Sequence, residues 1–404
     1  VINIILKDGD EGGSFAVTYG KYDTEVAGVK EIKSKTIVGN ELVFEDGGDI
    51  HRSDGETTTI AGDIGFSLGE DGFLHLAFES RDRAPTSRNG YEARQVYNPL
   101  ADGSVDPREL DFDHANNFRV GRADIQDLSF VYNLGYSFNN TTELYSFGTY
   151  GQRDGDSAAF YRQPKQGRSL GIFPDGFLPH ITTDVVDTAI VVGVNGELDE
   201  WNWDASIDYG KNDFGLGNEN TVNSSLGDNS PTSFYNGALI YDQTIVNLTF
   251  DNMLDFGLYD DVFFAIGVEY RKENYEIVAG EEASYIDGGS QGFPGLPAPT
   301  AQGRNNLGLF IELDTDLTDN LNVALAGRYE DYSDFGTNFT SKLAARYVVN
   351  DNLSFRGAIS TGFRAPSLAQ TSYTTVSTIF VDDGSGGQIP QESGLFPVNT
   401  PVAQ

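Results

Sequence analysis

Few stretches of this 404-residue chain offer chemistry by residue type alone: it has four histidines, one methionine, no cysteine and 61 acidic side chains. Gly288-Gly289-Ser290-Gln291-Gly292 fits the pattern of a nucleophile elbow, in which a serine is strained into the open between a strand and a helix. Its flanks do not fit. Glu281 to Asp287 is polar where a buried strand should be, and Phe293-Pro294-Gly295-Leu296-Pro297 cannot begin a regular helix. His51, His75, His114 and His180 are scattered without ligand spacing, so zinc is unsupported. The one local cluster, Asp111, Asp113 and His114, reads as a solvated loop. Without thiols there are no disulfides and no thiolate metal sites. No cofactor and no enzymatic reaction are indicated.

Ligand capture is the remaining chemistry. Arginine forks and aromatic faces recur in the polar stretches: Arg88, Tyr91 and Arg94 in one, Phe160, Tyr161, Arg162, Phe173 and Phe177 in a second, Tyr285 and Phe293 in a third. Such groups suit sugars, aromatic chelates or carboxylates; packing of the loops on one another explains each of them equally well. With 26 basic against 61 acidic side chains, net −35, a nucleic-acid groove is disfavoured. The charge reads as solvated surface, with divalent-cation binding by acidic loops as a secondary reading.

The elements that must carry these loops are strands. Leu321, Val323, Leu325, Gly327 and Tyr329 alternate with Asn322, Ala324, Ala326, Arg328 and Glu330, giving one greasy and one wet face. The same holds for Leu343 to Tyr347 against Lys342 to Arg346, and for Leu353 to Ile359 against Ser354, Arg356 and Ala358. Leu128 to Phe138 and Trp201 to Tyr209 repeat it, and Asp204 and Asp208 must face water rather than lipid. Trp201, beside a short turn, is a candidate for an aromatic girdle or for a buried core. A soluble sandwich also alternates. What favours a transmembrane antiparallel up-and-down β-barrel is strand length of about ten residues and unequal connections. Tight turns fall at 69–72, 139–142, 198–200, 255–260, 315–320 and 350–352, and long loops at 82–124, 154–184, 212–241 and 276–303. The first strand, Phe15 to about Tyr22, is expected to lead into a long polar connection reaching Thr57. Asp71-Gly72 is expected to supply the positive φ of the next hairpin. Val1 to Leu6 reads as a strand buried on both faces.

The run Gly362-Phe363-Arg364-Ala365-Pro366-Ser367, preceded by the arginine-bearing strand 353–359 and by Ala326-Gly327-Arg328-Tyr329-Glu330-Asp331-Tyr332, resembles the signature region of TonB-dependent outer-membrane receptors. Val-Asn-Ile-Ile leading to Lys7 is similar to the end of that family's plug domain. The resemblance implies residues 1–13 as the plug end and crossing, and 14–404 as a partial barrel, with roughly 13 of about 22 strands. It implies an outer-membrane, lipid-embedded receptor of a Gram-negative bacterium that takes up a siderophore, cobalamin or oligosaccharide with energy relayed by TonB, ExbB and ExbD. Strand parity points Arg328, Arg346, Arg356 and Arg364 into the lumen, toward the plug or toward wall carboxylates such as Glu330. A passive porin and a soluble lectin or adhesin are the alternatives.

Overall fold

The computed structural model describes residues 5–168, 171–382, 388–396 and 400. Thirteen strands form one sheet in strict chain order: β1 (Gly13–Val38), β2 (Glu41–Ser67), β3 (Gly72–Arg83), β4 (Asp124–Asn139), β5 (Thr142–Ala158), β6 (His180–Leu198), β7 (Trp201–Glu219), β8 (Phe234–Leu254), β9 (Val262–Ala279), β10 (Thr300–Thr318), β11 (Leu321–Tyr332), β12 (Gly336–Asn350) and β13 (Leu353–Ser360). Each pairs antiparallel with its chain neighbour, the up-and-down arrangement that alternating sequence faces require. Two short helices, α1 (Glu282–Tyr285) and α2 (Leu368–Ser372), and a separate hairpin, β14 (Thr375–Asp382) with β15 (Gln388–Leu395), lie outside this sheet.

Register carries one face across the whole sheet. Asn133 stands opposite Phe147, then Val191, Asp208, Ile245, Arg271, Asn306 and Tyr332 in the following strands. This face receives the N-terminal segment and α2, and it carries Asp63, Asp204, Glu269 and Arg304; it is the lumenal face. The other face carries Val17, Phe130, Ile207, Leu309 and Phe355, all exposed, Phe130 at 48% and Phe355 at 62%. Trp201 lies on that outer face, edge-on to Phe264 at 6.0 Å beside the short β6–β7 turn. A sheet with its apolar side chains outward and its charges inward is built for a lipid solvent.

Two expectations are corrected, and a third falls largely outside the described residues. The stretch from Tyr22 to Thr57 is not a loop: β1 and β2 continue through it and turn at Gly39 and Asn40. Register shifts between Gly20 and Tyr22 and again between Val26 and Ser34 break the period of two, which hid the strands in the sequence. In the β2–β3 turn it is Gly69, at φ 74°, that adopts the left-handed conformation, while Gly72 already begins β3. Val1 to Ile4 lie outside the described residues, and Ile5 is 91% exposed in a segment with no strand.

Candidate functional site

The long connections gather at one rim, and the first of them, 84–123, is tied down on both sides. Toward the β1–β2 hairpin, Arg88 Nη1 donates to both oxygens of Asp54 at 2.7 and 2.9 Å, Tyr91 donates to Asp46 at 2.7 Å and stacks near Phe44, and Lys35 donates to the carbonyl of Phe112 at 2.6 Å. At its centre Glu109 is fully buried. Its Oε1 accepts the backbone N–H groups of Val96 and Tyr97 at 2.7 and 2.8 Å, and Oε2 lies 3.1 Å from Nε2 of the equally buried His114. Toward the second loop, 159–179, Tyr97 donates to Asp175 at 2.8 Å, and Gln163 donates to Glu92 at 3.2 Å. Burial and the Asp175 carboxylate push the Tyr97 phenol well above its ordinary range.

Three loops, 159–179, 220–233 and 280–299, meet around Gln291. Arg162 Nε donates to Gln291 Oε1 at 3.1 Å, and Arg168 Nη1 donates to that same oxygen. Arg162 forms no ion pair among the described residues, and the Arg168 that shares its acceptor carries the same charge. Burial, with Arg168 beside it, pushes Arg162 down to about 10, and burial lowers Arg168 as well. A guanidinium held among amides and carbonyls keeps its demand for an anion. Phe160, at 83% exposure, stands beside this pair in sequence, and Phe173 stacks on Phe177 with centroids 4.8 Å apart.

Ser290, the elbow serine, is buried within the same junction. Its hydroxyl accepts from the Asn218 amide at 2.8 Å and the Asn236 amide at 3.3 Å, and it lies near the carbonyl of Phe293. Its hydrogen-bond partners are amides, amide carbonyls and no histidine or carboxylate among the described residues. It is a joint between loop and wall.

Below the loops, residues 361–367 cross back over the lumenal wall, held by Arg304. Its Nε donates to Glu273 at 2.9 Å and its Nη1 donates to the carbonyl of Pro366 at 2.8 Å; Asp334 lies 3.6 Å away. The Glu273 carboxylate also accepts from Tyr241 at 2.6 Å. Phe363 packs on Phe335 at 5.6 Å, and Ser367 caps α2 through a reciprocal pair with Gln370. Leu368 then buries against Leu216, Tyr275, Ile277 and Leu296. The signature run is thus a strap: an aromatic anchor, a carbonyl docked on a buried arginine, and a helix cap. A cavity of about 500 Å³ lies between strap and wall, lined by Arg271, Arg304, Arg328 and Arg364 among others.

Of the residues singled out in the sequence, Arg88, Tyr91 and Arg94 are engaged by Asp54, Asp46 and Glu92. Tyr161 donates to the carbonyl of Asp175, Phe293 packs against the Leu368 cluster, and Tyr285 ends α1 half-buried. Arg328 reaches Glu269 at 3.4 Å and Glu330 at 3.1 Å. Arg346 and Arg356 stand directly opposite each other across β12 and β13, and neither they nor Arg364 have an ion-pair partner among the described residues. Sequence reasoning missed Arg304, Gln291 and the Glu109–His114 pair, and it placed His114 in a solvated loop, whereas the ring is buried against Glu109. Only Arg304 left a signal, an arginine in the wet-face register of a patterned strand.

A sheet greasy outside and charged inside, short turns at one rim and interlocked loops at the other, define the wall of a transmembrane β-barrel. The chain belongs to the family described as TonB dependent receptor-like, beta-barrel, whose model matches residues 43–394. This is a family of transport receptors and not of enzymes. Over 131 residues the chain is 25% identical to the ferric enterobactin receptor PirA of Pseudomonas aeruginosa, covering 30% of this chain and 17% of that one. Among solved structures it is similar to the ferric enterobactin receptor PfeA of Pseudomonas aeruginosa, with a TM-score of 0.60 at 13% identity, over 97% of this chain and 49% of that one. The siderophore receptor PirA of Acinetobacter baumannii gives a TM-score of 0.59 at 10% identity, over 96% and 48%. The chain therefore spans about half the length of these structures, and at such identity they share its fold.

Proposed function

We propose that the intact protein is an outer-membrane receptor that captures an anionic iron chelate of the siderophore type at its loop rim and imports it with energy supplied through TonB, ExbB and ExbD. In this reading residues up to Gly13 end an inner plug and the strands from Ser14 form part of the barrel wall. The single observation that carries the ligand class is Arg162, a half-buried guanidinium set on the Gln291 amide oxygen with no ion pair among the described residues, in a chain of net charge −35. A cationic centre against that background selects anions, and guanidinium forks suit catecholate and carboxylate oxygens. The relatives named as ferric enterobactin receptors support the same class.

The test is binding of a ferric catecholate to the detergent-solubilised intact protein, read by isothermal titration calorimetry. Wild type binds; Arg162→Ala weakens binding by roughly ten- to a hundredfold, the loss of one or two charge-assisted hydrogen bonds. Saturable binding of cobalamin or an oligosaccharide in place of the chelate overturns the ligand class. Steady ligand-free conductance in planar bilayers overturns the receptor in favour of a porin.

A further inference from the structure

Residues 7–14, which enter the sheet, are gripped by side chains from three wall strands. Asp63 on β2 accepts from Lys7 Nζ at 2.8 Å and from the Ser14 hydroxyl. His75 on β3, only 7% exposed, places Nε2 2.9 Å from Asp63 Oδ2 and Nδ1 2.8 Å from the carbonyl oxygen of Gly9. Asn133 on β4 donates to the carbonyl of Lys7 at 3.0 Å, and the Gly65 N–H donates to the carbonyl of Gly12 at 3.0 Å. The fit is close enough to dictate a residue: a Cβ at position 65 would stand 2.3 Å from the Gly9 oxygen.

Proton counting makes this grip conditional. The Gly9 carbonyl can only accept, so Nδ1 must carry a proton. The Asp63 carboxylate, already receiving Lys7 and Ser14, is held in its accepting, ionised form, so Nε2 must carry one too. Both contacts exist together only with an imidazolium. A neutral ring keeps one N–H and turns a lone pair toward the other oxygen, so one contact becomes repulsive whichever tautomer forms. The charged groups facing the ring are Asp63 from β2 and, through it, Lys7 from the crossing segment. β4 contributes the neutral Asn133, and Asp8, Asp10 and Glu11 are exposed on the segment.

We propose that His75 and Asp63 form a proton-dependent clasp that fixes the segment from Lys7 to Gly12 on the lumenal wall, closed when His75 is protonated and loosened when it is neutral. The clasp concerns the seating of this segment and does not depend on which ligand the loops bind.

Proteolytic cleavage of the segment in the intact protein, corrected for the pH dependence of the protease itself, tests it by comparing acid with mildly alkaline pH. Protection of residues 7–12 falls by about tenfold or more as pH rises, as expected for loss of a hydrogen bond to a charged group. H75Q, which offers a single amide end in place of two N–H groups, is weakly protected at all pH values, and D63N likewise. Flat protection in the wild type, or H75Q indistinguishable from it, overturns the clasp. Should H75Q or D63N fail to fold, the ¹⁵N resonances of His75 in the wild type decide: two protonated nitrogens at the acid end support the clasp, and a single neutral tautomer throughout overturns it.

Discussion

Arg304 and Arg162 are both guanidinium groups withdrawn from water, yet they are held in opposite ways. Arg304 sits on a strand with Nε and Nη2 both 2.9 Å from Glu273 Oε2, with Asp334 near and the Pro366 carbonyl accepting from Nη1. Arg162 sits in a loop and shares one amide oxygen with a second arginine. The first has its charge neutralised by the fold and is part of the scaffold. The second has its charge left over. The contrast separates arginines that hold this molecule together from arginines available to a ligand, a distinction that residue type does not make.

The most severe way to probe that contrast is Arg304→Ala. It strands a buried carboxylate and undocks the strap, so it is expected to cost about 3–5 kcal/mol, read as a lowered unfolding midpoint and lost exchange protection in 361–373. Next is Glu109→Ala, which unpairs two backbone N–H groups and the His114 ring at a cost of about 2–3 kcal/mol. It shows as new proteolytic cleavage in 84–123 with the strands intact. Arg162→Ala is expected to do the reverse of Arg304→Ala: an unfolding midpoint unchanged or raised, alongside weaker chelate binding. Equal destabilisation by the two would erase the distinction. Acid provides a gentler test. The Arg94 guanidinium holds Glu92 below the usual carboxylate range, and Arg108 does the same for Asp106. Their folded values are depressed, so their stabilisation is complete above the ordinary carboxylate values near about 4 and is lost as pH falls below them. Loop 84–123 should then become protease-sensitive before the sheet unfolds. The smallest effect belongs to Arg346→Ala, within roughly 0.5 kcal/mol of wild type or slightly stabilising, because it relieves a like-charge cross-strand pair. Calorimetry of the purified protein checks it.

Most of the wall was legible because the lipid-facing and lumenal sets alternate at a fixed period: Leu321 to Glu330 and Trp201 to Gly210 fall on the faces their parity assigns. The β1–β2 extension was not, since Tyr22 to Thr57 scatters its apolar side chains over both faces and is interrupted by bulges, leaving no contrast to detect. The loop site was illegible for another reason. Arg162 and Gln291 lie 129 positions apart, and nothing local at either says they share a hydrogen bond. The signature run was recognisable as a string, but its physical work, a carbonyl laid on Arg304, depends on a residue 62 positions earlier.

Two side chains in the wall reach past their immediate neighbour. Arg328 on β11 passes over Gly308 on β10 to meet Glu269 on β9, and Tyr145 on β5 passes over Gly193 on β6 to meet Asp204 on β7. The glycines are the bridgeways of this wall. A methyl at position 308 would nudge the guanidinium aside with little backbone strain, so the protein would fold as before while its lateral tie between alternate staves was cut. Damage of that kind would escape a melting curve and would first be felt as a wall whose neighbouring panels no longer answer to one another.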